Sequence, residues 1–231
     1  MKLALGMRFQ NEEQWLDLHA RYMAPAFDGI VAIDGGSKDK GPQVLKELGA
    51  VVRKRKFDWD FGAQSNAVLD LARLQGYDAI MFVDPDECVH LDDIAQCREL
   101  LNSWENVRMW LLHFIQDRRH VTTVWTNDRQ VRAYRLFPET RYEGRIHERL
   151  VNPGRVCAAD LRVYHYGVLE DLVTRSLQWA NFDQAAKGLP LYTKFHDLPP
   201  EYQLKEYPPS EGYRGRQPLN PDVVGDRAPL E

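Results

Sequence analysis

Apolar positions change their spacing along this chain, and the change divides it into two halves. Lys2–Met7 is a short apolar run that predicts a strand. Trp15, Leu16, Leu18 and Tyr22 then fall near one face of a helix that Asn11 is placed to cap and Pro25 to stop. Gly29–Ile33 predicts a second strand, ending at Asp34-Gly35-Gly36-Ser37, a turn that needs glycine freedom. A helix over Pro42–Leu48, a strand over Val51–Arg53, a helix over Phe61–Leu74 and a strand over Asp78–Val83 follow. Strands and helices that alternate this way, joined by right-handed crossovers, predict a doubly wound parallel sheet.

After a helix expected over Leu91–Trp104 the pattern turns β-rich. Val107–Ile115, Val121–Thr126, Gln130–Leu136 and Leu161–Tyr166 predict mixed or antiparallel strands added to the sheet, with polar turns such as Gln116-Asp117-Arg118-Arg119 between them. Leu169–Ala186 predicts a last amphipathic helix carrying Leu172, Leu177, Trp179 and Phe182. From Pro190 onward the chain holds eight of its 13 prolines, interspersed with tyrosines, which predicts an extended tail. The expected organisation is a single α/β domain over residues 1–188 and a proline-rich tail over 189–231.

Composition narrows the functions open to such a domain. Lys and Arg number 30 against 34 for Asp and Glu, so the net charge of −4 offers no basic field and disfavours nucleic acid as a partner. The run Arg53-Lys54-Arg55-Lys56 reads as a solvated edge. Cys88, Cys97 and Cys157 are odd in number and lack zinc-site or disulfide spacing, which suits a reducing compartment. No stretch approaches 18 consecutive apolar residues, and Arg8, Asn11, Glu12 and Glu13 come too early for a signal peptide. The expectation is a soluble, cytoplasmic protein without a transmembrane segment.

The chemistry concentrates where the predicted parallel strands end. Ile80-Met81-Phe82-Val83 runs into Asp84-Pro85-Asp86-Glu87, two carboxylates one residue apart at the carboxyl end of a buried strand. Open α/β sheets bind ligands there, and hard cations such as Mg²⁺ or Mn²⁺ take one or two carboxylates plus substrate phosphates. Strand-ending aspartates also commonly do no more than cap the next turn. Met7-Arg8, Asp34 and the stretch Asp60–Asn66 would share the same edge, with Asp34 placed to accept hydrogen bonds from a base or ribose.

Six segments in order carry a resemblance. Arg8-Phe9-Gln10-Asn11-Glu12-Glu13, Ile33-Asp34-Gly35-Gly36-Ser37-Lys38-Asp39, Phe61-Gly62-Ala63-Gln64-Ser65-Asn66, Phe82-Val83-Asp84-Pro85-Asp86-Glu87, Gly144-Arg145-Ile146-His147-Glu148 and His165-Tyr166-Gly167 together resemble the inverting family 2 glycosyltransferases of GT-A fold, in their small bacterial and phage-type branch. The similarity runs over residues 2–185. It implies that Met7, Arg8 and Asp34 hold the nucleotide, with Gln64 and Asn66 lining the same pocket. It implies further that Asp84-Pro85-Asp86 is the family's Asp-X-Asp, with Asp86 the direct metal ligand, Asp84 on ribose or metal-bound water, and proline removing a backbone donor the turn would otherwise offer. His165 resembles the late histidine that completes the metal shell, and His147-Glu148 the acceptor-side pair that supplies the base, Glu148 foremost.

The implied activity is metal-dependent transfer of a sugar from a nucleotide-diphosphate sugar, a UDP-sugar foremost, to an acceptor hydroxyl on a glycan, lipid-linked or protein acceptor, with Mn²⁺ or Mg²⁺ as cofactor. Two other readings stand beside it. A non-catalytic module binding a sugar nucleotide or glycan would keep the pocket without turnover. A nucleotidyltransferase would share the sheet and the acidic pair but would want a glycine-rich phosphate loop after the first strand, where Gly6 is the only glycine.

Overall fold

The structure is a computed structural model, and it describes residues 1–113, 129–166 and 172–203. Ten strands are present among them: β1 (Leu3–Phe9), β2 (Gly29–Asp34), β3 (Val51–Lys54), β4 (Ala79–Phe82), β5 (Glu87–Val89), β6 (Asn106–His113), β7 (Arg129–Arg135), β8 (Arg141–Glu143), β9 (Arg149–Val151) and β10 (Val156–His165). Eight form one sheet in the order β3-β2-β1-β4-β7-β6-β10-β5, and β8 and β9 form a separate antiparallel ladder. The first four of that order run parallel, β7 is antiparallel to both β4 and β6, and β10 lies parallel to β6. This is the expected GT-A-type α/β sheet, mostly parallel with added antiparallel strands, in a single domain.

Alternation along β1 shows why the sheet has covered faces on both sides. Leu3, Leu5 and Met7 belong to the core on one face, with Trp15, Leu16 and Met23 of the first helix. Ala4 belongs to the core on the other face, with Val68, Leu69 and Leu71 of helix Phe61–Leu74. A strand buried on both faces reads as the near-continuous apolar run seen in the sequence. The parallel register then brings the carboxyl ends of β1, β2 and β4 to one edge, with Phe9 opposite Asp34 and Gly6 opposite Phe82.

Several local expectations are corrected. Asn11 does not cap the first helix, which begins at Glu13 and runs through a π-turn at Leu16–Ala20 to Met23. Asn11 adopts a left-handed φ of 60° and bridges to the neighbouring loop instead, its N–H donating to Ser37 Oγ and its Oδ1 accepting from Lys38 N–H. The helix expected to reach Trp104 ends at Leu100. Strand β5, the β8/β9 ladder and the first half of β10 were not expected; at three residues each, β5, β8 and β9 are too short to show a period. The strand expected at Val121–Thr126 lies outside the described residues, as do Ile115 at the end of β6, the first residues of the helix expected from Leu169 and most of the tail.

Candidate active site

A cavity of about 450 Å³ opens at the shared strand edge, lined among others by Arg8, Gly35, Gln64, Asp84, Asp86 and His165. Its aromatic wall is Phe57, Trp59, Phe61 and Phe182, with Phe61 and Phe182 meeting edge-on at 5.6 Å. The sequence showed Phe182 only as an apolar position on a helix. Its place on the wall depends on how helix Leu172–Ala186 docks.

At the end of β2, Asp34 is buried, and its Oδ1 accepts from Gly36 N–H at 2.9 Å and Ser37 N–H at 2.7 Å. Gly36 sits at a φ of 110°, a conformation that glycine supplies at no steric cost. The second oxygen, Oδ2, is buried without a partner among the described residues. Gln64 is in the same condition: its amide N–H donates to the Arg55 carbonyl at 2.9 Å, while Oε1 is buried and unpartnered. An unmatched buried acceptor costs about 1–3 kcal/mol, so two around one cavity call for donors from a ligand.

The turn after β4 is built from charges. Asp84 lies 3.6 Å from Arg8 Nε, and its backbone N–H donates to Glu87 Oε2 at 2.8 Å. Glu87 is buried against Arg132 of β7, with 2.6 Å between Nη2 and Oε1. Burial pushes the Glu87 carboxyl up to about 7 even though Arg132 pulls the other way. Asp86 faces His165, with 3.2 Å between Oδ2 and Nε2. Its burial opposes ionisation, yet the neighbouring His165 brings its pKa down to about 2. Below the turn the buried His19 donates from Nδ1 to the Pro85 carbonyl at 3.0 Å, and Tyr166 N–H donates to the Asp86 carbonyl at 2.8 Å.

The donor chemistry of Asp86 and His165 suits a divalent ion. Octahedral ligands at about 2.1 Å place neighbouring donors roughly 3.0 Å apart, and the 3.2 Å between Asp86 Oδ2 and His165 Nε2 matches that spacing. Among the described residues no three His, Cys, Asp or Glu side chains converge on one point. Asp86 and His165 therefore fit an ion whose remaining positions are filled by phosphate and water, as is usual for hard cations at diphosphates.

Arg8 joins this turn to the acceptor side. It ion-pairs with Glu148, donates to Ser65 Oγ at 2.8 Å and to the Phe61 carbonyl at 3.1 Å, and lies over the Phe61 ring at 4.7 Å. Burial works against its charge, but Asp84 and Glu148 outweigh it and its pKa is raised. Glu148 arrives on the loop between β8 and β9. His147 holds a left-handed φ of 54° there, which leaves its own side chain exposed while Glu148 turns inward. The loop is pinned to helix Phe61–Leu74 by Phe61 N–H donating to the Arg145 carbonyl at 2.8 Å. Gly62 makes the approach possible, since a Cβ there would lie 2.1 Å from the Gly144 carbonyl oxygen.

Of the residues singled out from sequence, Arg8, Gln64, Asp84, Pro85, Asp86 and His165 line the cavity, and Asp34 and Glu148 adjoin it through Gly35 and Arg8. Two lie apart. The Met7 side chain is buried in the core, because alternation in β1 sends it to the face opposite Arg8. Asn66 uses both ends of its amide on the backbone of Tyr142, holding β8. Tyr142 itself is half-buried, its hydroxyl 3.1 Å from that of Tyr134. Glu87, Arg132, His19 and His113 had no site role assigned from sequence.

A GT-A-type sheet with an acidic turn, orphaned acceptors and an arginine-held carboxylate at one edge describes an α/β domain of the glycosyltransferase kind. The chain belongs to glycosyl transferase family 2, which matches residues 19–173. Among solved structures it is similar to TarS 1–349 of S. aureus in complex with UDP, at 12% identity and a TM-score of 0.53, over 72% of this chain and 60% of that one. It is also similar to TarS 1–349 in complex with UDP-GlcNAc, at 12% identity and a TM-score of 0.53, over 80% of this chain and 65% of that one. At such identities the likeness carries the fold, and the chain spans 60 to 65% of those structures' length. No curated protein matches the sequence. No helix among the described residues is long and apolar enough to cross a membrane.

Proposed function

We propose that this protein transfers a sugar, with inversion, from a nucleotide-diphosphate sugar to the hydroxyl of a glycan, lipid-linked or protein acceptor in the cytoplasm. The observation that carries the reading is that the cavity lined by the Asp84–Asp86 turn is also lined by Gln64, with its unpartnered Oε1, and by Gly35, next to Asp34 with its unpartnered Oδ2. Asp34 Oδ2 and Gln64 Oε1 are suited to accept from the N–H and O–H groups of a base and ribose. The UDP and UDP-GlcNAc complexes of TarS make a UDP-sugar the first donor to try.

Asp86 and His165 would hold a Mn²⁺ or Mg²⁺ ion, with Asp84 on ribose or ion-bound water. When bound, such an ion neutralises charge developing on the diphosphate leaving group. Glu148 is the general base, taking the acceptor hydroxyl proton as that oxygen attacks the anomeric carbon. Inversion needs one base only, and Arg8 and Ser65 hold Oε1 so that the carboxylate keeps one orientation.

The same Arg8 pair favours a second reading, a sugar-nucleotide-binding module without turnover, because a carboxylate engaged by a guanidinium is a weakened base. Glu148→Gln separates the two. Under the enzyme reading kcat falls by about 10²–10⁴ while UDP affinity stays within a few-fold of wild type, as measured by turnover and calorimetry. Folded wild-type protein that binds UDP with Mn²⁺ and turns over no donor with any acceptor tried would establish the second reading.

A further inference from the structure

His113 closes β6 directly beside His165 at the end of β10, the parallel register of the two strands pairing them residue to residue. Their Nδ1 atoms are 2.7 Å apart, and the rings meet edge to face, 4.7 Å between centroids and 86° between planes. Two ring nitrogens at that distance share one proton. Which ring owns it decides what the far side of His165 can do, because a neutral imidazole carries its proton on one nitrogen and a lone pair on the other.

We infer that His113 is a positioning residue that accepts the His165 Nδ1 proton and thereby presents His165 Nε2 as a lone pair toward Asp86. The inference rests on the proposed role of Asp86 and His165 in holding a divalent ion. It goes further in assigning a task to His113, which stands behind the cavity on β6 and reaches it only through His165.

The proposed ion sets the direction of this hydrogen bond: without an ion, 3.2 Å between Asp86 Oδ2 and His165 Nε2 also suits an N–H donated to the carboxylate, whereas an ion between them needs the Nε2 lone pair and leaves the proton on Nδ1. His165 Nε2 is the nitrogen 3.2 Å from Asp86 Oδ2, so the ion-facing nitrogen is the one far from His113. If His113 donated instead, His165 would carry its proton on Nε2 and meet Asp86 as a hydrogen-bond donor, closing that position to a cation. Ligand histidines regularly give their second nitrogen to such an acceptor, and losing it typically weakens metal affinity by roughly 10–100-fold.

The test measures Mn²⁺ binding directly, by the electron paramagnetic resonance signal of free Mn²⁺ titrated with full-length protein and UDP. UDP affinity without Mn²⁺ and near-ultraviolet circular dichroism are followed as controls. His113→Leu removes the acceptor, and His113→Asn returns an oxygen close to the Nδ1 position. The expected result is a roughly 10–100-fold weaker Mn²⁺ affinity in His113→Leu, substantial recovery in His113→Asn, and unchanged UDP affinity without the ion. The double variant His113→Leu/His165→Ala should bind no more weakly than His165→Ala alone, because one residue acts through the other. Wild-type affinity in His113→Leu, or a loss that adds in full to that of His165→Ala, overturns the role of His113 and leaves the ion site standing. Wild-type affinity in His165→Ala overturns the ion reading itself, and His113 falls with it.

Discussion

Two turns in one sheet end in aspartate at the same edge, and they solve opposite problems. Asp34 follows β2 into a glycine turn where every partner is neutral. Backbone N–H groups occupy one oxygen, and the other is buried with nothing to accept from. Asp84 and Asp86 follow β4 into a turn crowded with charge: Arg8 beside Asp84, His165 beside Asp86, and the Glu87–Arg132 pair beneath. A neutral turn with an orphaned acceptor suits recognition of a fixed N–H or O–H. A charged turn suits a ligand whose own charge must be balanced. The same residue type, at equivalent strand ends, is directed to recognition or to charge by what its neighbours carry.

The largest effect should come from the charged turn. Asp86→Asn is expected to lower kcat by on the order of 10³-fold, since an ion at the leaving group contributes several kcal/mol, and to abolish Mn²⁺-dependent thermal stabilisation by UDP. Were Asp86→Asn to keep that stabilisation, the contrast between the turns would collapse.

Asp34→Ala should act differently, weakening UDP binding by about 10–100-fold with or without Mn²⁺ in calorimetry, the worth of one charged hydrogen bond, and changing kcat at saturating donor little. An effect of Asp34→Ala that appears only with Mn²⁺ would mean the two turns work as one.

A pH series on stability sharpens the comparison without any ligand. Glu87 is raised from its ordinary value near 4.5 to about 7 by burial. Between those values the unfolded chain has lost the proton that the native state keeps. Its contribution is therefore fully present below the unfolded value and is lost as pH rises through about 7. Glu87→Gln should flatten the melting temperature across that window.

The smallest effect is expected at Gly36→Ala. Its φ of 110° strains any side chain although no atom but Gln10 Nε2 lies within 4 Å, so a loss of about 1 kcal/mol in denaturant unfolding should leave Mn²⁺ binding untouched.

What could be read in advance was whatever a short stretch of chain encodes by itself. Asp34-Gly35-Gly36-Ser37 and Asp84-Pro85-Asp86 are local: the turn chemistry, the carboxylates and the preceding apolar runs are adjacent in sequence. Parallel connection of the first four strands then fixes that they meet at one edge. Residues that support the second turn are not local. Arg132 reaches Glu87 across 45 positions and His19 reaches Pro85 across 66. Each was readable only as an arginine on a β-rich segment or a polar residue on a helix. Met7 was open to better use of the period of two, which separates its side chain from that of Arg8. Asn66 was not, since nothing near it announces that β8, three residues long, will take its amide.

Arg8 and Glu148 stand 140 positions apart in the chain, and their contact has a consequence for the order in which the protein is made. Arg8 is fixed in β1, which is synthesised well before Glu148, in surroundings that strip it of water, while Glu148 arrives only after β8. A nascent chain lacking residue 148 holds that guanidinium with Asp84 alone as a carboxylate neighbour. Contacts of such separation also form late and slow folding, because the loop entropy must be met before the contact rewards it. The strand edge can therefore be assembled early, but it becomes a site only once the loop after β8 has closed over Arg8.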